Sequence, residues 1–161
     1  MKFKKLVSLS LTMIMSAGIL VGCGSNGDDA SNGEQIKVGM ITDVGGVHDE
    51  SFNQSSWEGL QSIKEEIGED KLYVNYLEST QDSDYKPNIE QFVEEEYDLI
   101  IGVGYKLADA LKEASTNYPD QQFALIDEVY DEQPENITSL SFESNESSYL
   151  AGLIAGKSTK T

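Results

Sequence analysis

At 161 residues the chain is long enough for one domain with its own buried core. It carries 29 Asp and Glu against 11 lysines, a formal charge of −18, with no arginine. That balance argues against a nucleic-acid partner, because phosphate contacts rest on Lys and Arg. It also lacks the guanidinium fork that suits carboxylate and phosphate ligands, so a neutral or cationic small ligand is favoured.

Lys2, Lys4 and Lys5 form a positive start, and Leu6 to Leu20 is an apolar run. This is the pattern of a secretory signal, and it is short for a membrane-spanning helix. It ends in Leu20-Val21-Gly22-Cys23, which resembles the bacterial lipobox. The expectation is a lipoprotein signal peptide over 1–22 and a lipid on Cys23. The protein would then be anchored on the extracytoplasmic face of the cell membrane. Cys23 is the single cysteine, so no disulfide forms within the chain. From Gly24 to Gln35 the chain is polar and glycine-rich, with nothing to bury, and reads as a flexible tether.

Ile36 to Thr42 is the first strand. A glycine pair follows, then acidic and hydroxyl residues, then a helix from about Ser51 to Ile67. Phe52, Ser56, Leu60, Ile63 and Ile67 recur at three- and four-residue spacing and predict its buried stripe. Asp49 or Ser51 caps its start and Gly68 stops it. Lys71 to Leu77 alternates as a second strand. Asp84 to Glu96 is a second helix, with Pro87 in its first turn. Leu99 to Val103 is a third strand, apolar on both faces as parallel strands are. Lys106 to Asn117 is a third helix and Phe123 to Ile126 a fourth strand. After an acidic loop, Ile137 to Phe142 is a fifth strand, and Ser147 to Ala155 belongs to a fourth helix.

This alternation implies an α/β fold: an open parallel sheet with helices on both faces and right-handed crossovers. Ligands of such sheets bind at the carboxyl ends of the strands. That edge collects Asp43 to Glu50 after the first strand, Glu78 to Ser83 after the second, Gly104-Tyr105 after the third and Asp127 after the fourth. Phe52 and Asn53 lie in the first helical turn beside Asp43.

Each of these residues has two readings. Phe52 either stacks on a planar ring or belongs to the helix's core stripe. Asn53, with donor and acceptor on one amide, either reads the edge of a base or is a cap or solvated side chain. Asp43 and Asp127 either accept hydrogen bonds from ligand N–H and O–H groups or are loop and cap residues. Tyr105 would wall the cleft. Gly102-Val103-Gly104 is no dinucleotide fingerprint, since the third glycine is absent. His48, Asp49 and Ser51 lack the context of a hydrolytic triad. Asp43, Asp49 and Glu50 do not have the spacing of a calcium loop.

The stretch Asp43-Val44-Gly45-Gly46, followed by Ser51-Phe52-Asn53-Gln54-Ser55 and Trp57-Glu58-Gly59-Leu60, resembles the signature of the basic membrane protein (BMP) family. These are lipid-anchored substrate-binding proteins of ABC transporters, several of which bind purine nucleosides. Phe142-Glu143, Glu146 and Ser148-Tyr149-Leu150-Ala151-Gly152 resemble the family too, as does Thr159-Lys160-Thr161. The resemblance implies the first lobe of a type I periplasmic-binding-protein-like fold over 36–139. A hinge strand and the first helix of a second lobe follow over 140–161, with the rest of that lobe missing. It also implies that Phe52 packs on the purine of guanosine, inosine or adenosine, with Asp43 and Asp127 as first-lobe contacts. The implied partner is an ABC permease; no cofactor and no catalytic step are implied.

Two other readings stand beside this one. A surface lipoprotein or adhesin that binds a protein partner would also suit the acidic surface and the apolar last helix. A metal-dependent hydrolase would use Asp43 and Asp127.

Overall fold

The computed structural model describes residues 35–160. The expected signal peptide, Cys23 and nearly all of the tether lie outside the described residues. Five strands form one parallel sheet: β1 (Ile36–Ile41), β2 (Leu72–Leu77), β3 (Leu99–Val103), β4 (Gln122–Ile126) and β5 (Ile137–Leu140). Their order across the sheet is β2-β1-β3-β4-β5. The chain runs from β1 outward to β2, then crosses back to β3 on the other side of β1. The strand order therefore reverses between β1 and β3, and such a reversal leaves a crevice at the carboxyl edge.

Four helices accompany the strands: α1 (Phe52–Ile67), α2 (Tyr85–Glu94), α3 (Ala108–Asn117) and α4 (Ser144–Ser158). A 3-10 turn, Asp82–Asp84, leads into α2, and another, Tyr105–Leu107, leads into α3. Alternation along the strands sends side chains to two faces. On one face Ile41, Ile100, Phe123, Leu125 and Ile137 are buried beneath α2 and α3, with Ile89 and Phe92 of α2 and Leu111 of α3. On the other face Val38, Met40, Val74, Ile101 and Val103 pack against Trp57 and Leu60 of α1. Close approach on the first face needs glycine. A Cβ on Gly39 would lie 2.7 Å from the Phe92 ring, and one on Gly102 would lie 2.6 Å from Leu111.

Three expectations are corrected. The stripe that α1 buries is Asn53, Trp57 and Leu60, whereas Phe52, Ile63 and Ile67 are exposed. The helix is turned by one residue, roughly 100°, from the predicted setting. Two apolar stripes of similar spacing exist in its sequence. Trp57, edge-on to Tyr76 with centroids 4.8 Å apart, supplies the larger buried body. Second, β5 ends at Leu140 rather than Phe142. Third, α4 begins at Ser144 rather than Ser147 and continues to Ser158. Every residue of α4 is exposed, including Tyr149, Leu150, Leu153 and Ile154.

Candidate ligand-binding site

The register carries three residues to one row at the carboxyl edge. Ile41 pairs with Gly102, and Val103 pairs with Ile126. One step beyond Val103 and Ile126, and two beyond Ile41, stand Asp43, Gly104 and Asp127. The backbone bond from Gly104 N to Ile126 O, 3.0 Å, continues the ladder to this row. Adjacent strands lie about 4.8 Å apart, so the backbones at Asp43 and Asp127 are separated by roughly 10 Å across β3. Gly104 lies between them at φ +92°, and a Cβ there would meet nothing within 4 Å. The row thus has a carboxylate at each side and an open glycine notch in the middle.

Asp43 is held by a compact loop. Its Oδ1 accepts the Gly45 N–H at 2.9 Å and the Asn53 side-chain N–H at 2.8 Å. Its own N–H donates to Asn53 Oδ1 at 3.3 Å. Gly46 N donates to the Asp43 carbonyl at 3.2 Å and closes a tight turn. Gly46 takes φ +70°, and Glu78 Oε1 would lie 3.0 Å from any Cβ there. That same oxygen of Glu78, one residue past β2, accepts the Val47 N–H at 2.8 Å. Val47 is buried against Met40 and Val103, which seats the loop on the sheet.

Asp49 caps α1 from three residues before its first residue. It accepts the backbone N–H groups of Ser51, Asn53 and Gln54 at 2.9, 3.1 and 3.0 Å. It also accepts the Asn53 side-chain N–H at 3.0 Å. Burial works to raise its pKa, but these donors together outweigh it and hold the carboxyl below its ordinary value. Ser51, the alternative cap, makes no side-chain bond to the helix start. Tyr85, at the start of α2, is buried and donates its hydroxyl to Asp82 Oδ1 at 3.0 Å. Its pKa is raised strongly, first by burial, then by that bond and by the negative charges of Asp82 and Asp43.

Beside the row lies a cavity of about 570 Å³ lined by Ser51, Phe52, Ser55, Ser56, Ile126 and Phe142. Its size suits a small organic ligand, and its walls are largely apolar, as such sites are. Phe52 is 45% exposed and lines this cavity. Phe142, just past β5, is 59% exposed, and its ring centroid is 6.3 Å from that of Phe52.

The predicted residues are distributed as follows. Asp43 and Asp127 share the row, and Phe52 lies in the helical turn that bonds to Asp43. Tyr105 follows the glycine notch and is strongly exposed, outside the cavity lining. Asn53 departs from its expected place. It is 2% exposed, and its amide hydrogens go to Asp43 and Asp49, so it stands behind the cleft. Asp127 takes φ +66°, a left-handed conformation in a residue with a side chain. Phe142 lines the cavity although the sequence does not point to it as a site residue, whereas Gly104 and Glu78 lie on the strand-end edge where the sequence places them. An aromatic at the carboxyl end of the fifth apolar segment is the signal that points to Phe142. Among the described residues, no group of three or more His, Cys, Asp or Glu side chains is gathered as a metal site.

Comparison with known proteins adds the family. Residues 36–161 match the model of the Bmp family, described as ABC transporter substrate-binding protein PnrA-like. The chain belongs to this family. It is a family of substrate-binding proteins and not of enzymes. A relative from Listeria innocua, named CD4+ T-cell-stimulating antigen, is 45% identical over 98% of this chain and 46% of its own length. One from Lactococcus lactis, named ABC transporter nucleoside-binding protein BmpA, is 39% identical over 98% of this chain and 46% of its own. Among solved structures, an ABC transporter solute-binding protein from Aeropyrum pernix superposes with a TM-score of 0.68 at 32% identity. That superposition covers 74% of this chain and 32% of the other. The chain spans about half the length of the curated relatives it matches.

Proposed function

We propose that this Bmp-family chain is the first lobe of a lipid-anchored solute-binding protein of an ABC importer, and that its solute is a purine nucleoside. The observation that carries the reading is the solvent-facing ring of Phe52 beside the open row of Asp43, Gly104 and Asp127. An aromatic face takes a planar base by stacking, worth about 1–3 kcal/mol per base. The two carboxylates accept hydrogen bonds from ring N–H, amino or ribose hydroxyl groups. Tyr105 walls the notch from the β3 side. The Lactococcus lactis relative, whose name specifies nucleoside binding, supports the choice of solute. An anionic solute suits this lobe's part of the site poorly, since both side groups of the row are acids.

In this reading residues 36–139 form the lobe. The segment 140–161 is a hinge strand and the first helix of a second lobe, whose own contacts would complete the cleft. The exposed apolar residues Tyr149, Leu150, Leu153 and Ile154 of α4 support that division, because an apolar helix stripe is normally buried against another element. Cys23 carries the lipid that holds the protein at the extracytoplasmic membrane face, and a permease receives the solute.

Titration calorimetry of the two-lobe protein with guanosine, inosine and adenosine tests the solute. Binding of at least one, weakened by Phe52→Ala and Asp43→Ala, is expected. Unchanged affinity in Phe52→Ala, or no binding of any of the three, overturns it. Labelling cells with a palmitate analogue tests the anchor: label on wild type and none on Cys23→Ala is expected.

A further inference from the structure

We propose that Asn53 is a positioning residue for the solute site: its amide clamps Asp43 so that a single carboxylate oxygen, Oδ2, faces the cleft as an acceptor. The inference rests on the reading of Asp43 as a solute contact.

The amide of Asn53 meets Asp43 twice. Its Nδ2 donates to Asp43 Oδ1 at 2.8 Å, and its Oδ1 accepts the Asp43 backbone N–H at 3.3 Å. Backbone and side chain of one residue are thereby tied to one planar group, which restricts the χ1 of Asp43. The Gly45 N–H gives Asp43 Oδ1 a second donor at 2.9 Å. That oxygen is then fully used, while no donor among the described residues is bonded to Oδ2.

Asn53 is itself fixed from the other side. Its Nδ2 also donates to Asp49 Oδ2 at 3.0 Å, and the Asp49 carboxylate is anchored by three backbone N–H groups of the α1 start. Asn53 directly follows Phe52. One helical turn thus carries both the aromatic residue and the amide that holds the hydrogen-bond acceptor. A site built this way accepts a ligand N–H or O–H at one defined point and gives no donor back at that point. It selects for a neutral donor-bearing solute and against a phosphorylated one.

The test uses the two-lobe protein without its lipid anchor, because the second lobe completes the cleft in the reading above. NMR couplings report the χ1 of Asp43. A single rotamer is expected in wild type and rotamer averaging in Asn53→Ala, with the amide signals of β3 and β4 unmoved. A single unchanged rotamer in Asn53→Ala overturns the proposal, whether or not a nucleoside binds. Titration with inosine then gives a double-mutant cycle. Asn53→Ala is expected to weaken binding at least tenfold in the wild-type background and less than twofold in an Asp43→Ala background. Equal losses in both backgrounds overturn the clamp. Absence of inosine binding in wild type sinks the nucleoside reading, and the rotamer comparison still decides the clamp. If Asn53→Ala does not fold, Asn53→Ser serves in its place. In wild type both Asn53 side-chain hydrogens must exchange slowly, and rapid exchange of both counts against the clamp.

Discussion

Phe52 and Phe142 line one cavity with their ring centroids 6.3 Å apart and their planes at 49°. They are about ninety residues apart in sequence, one opening α1 and the other following β5. Both rings are exposed, so neither contributes much to folding where it stands. Phe52→Ala is expected to change unfolding free energy by no more than about 0.5 kcal/mol. The same change is expected to weaken nucleoside binding by about 1–3 kcal/mol. Phe142→Ala is expected to act in the same direction. Urea unfolding and calorimetry on the same samples separate the two effects.

Asp49 makes the start of α1 sensitive to acid. Its folded pKa is depressed, so its stabilising contribution is present above the unfolded value of about 3.9. That contribution is lost as pH falls through the folded value. Removing the cap with Asp49→Ala is expected to cost about 0.5–2 kcal/mol at pH 7. The difference from wild type should be smaller at pH 3, below the unfolded value, because protonation of the carboxyl there favours the unfolded chain. Urea melts at the two pH values check this, and an equal difference at both would falsify it.

Gly39 meets the Phe92 ring where any other residue would place a Cβ, at 2.7 Å. Phe92 is fully buried and cannot move aside. Gly39→Ala is expected to destabilise by about 1–3 kcal/mol. Phe92→Leu in the same chain should recover part of the loss, which thermal or urea unfolding of the three variants would show.

Asp127 holds a left-handed backbone at the edge of the row, φ +66°. A β-branched residue there is expected to cost about 1–2 kcal/mol, so Asp127→Val should unfold more readily. Asp127→Gly should stay within about 1 kcal/mol of wild type, because relief of strain offsets the added chain entropy. Both variants should bind nucleoside more weakly. Loss of binding without loss of stability in Asp127→Gly would mark a side chain kept for its ligand, as strained site residues often are.

Alternation of apolar runs with amphipathic segments was enough to read five strands, four helices and a parallel sheet from the chain alone. Periodicity is a local property, and each element carries it in its own residues. The strand-end positions of Asp43 and Asp127 were legible for the same reason. Which face of α1 is buried was not. Two stripes of similar spacing lie on it, and the choice falls to Trp57 packing on the sheet and to Asn53 bonding to Asp43 and Asp49. Those partners come from elements that meet only after folding.

The Asp43–Leu60 stretch carries the family resemblance in the sequence by itself, because such a motif is contiguous. Tertiary structure alone decided that Asn53 lies behind the cleft, that Phe142 joins Phe52, and that an open glycine separates two acids on one row. Each depends on distances between residues far apart in the chain. Those distances follow from strand order and register, which hydrogen bonding between strands determines and no single segment encodes.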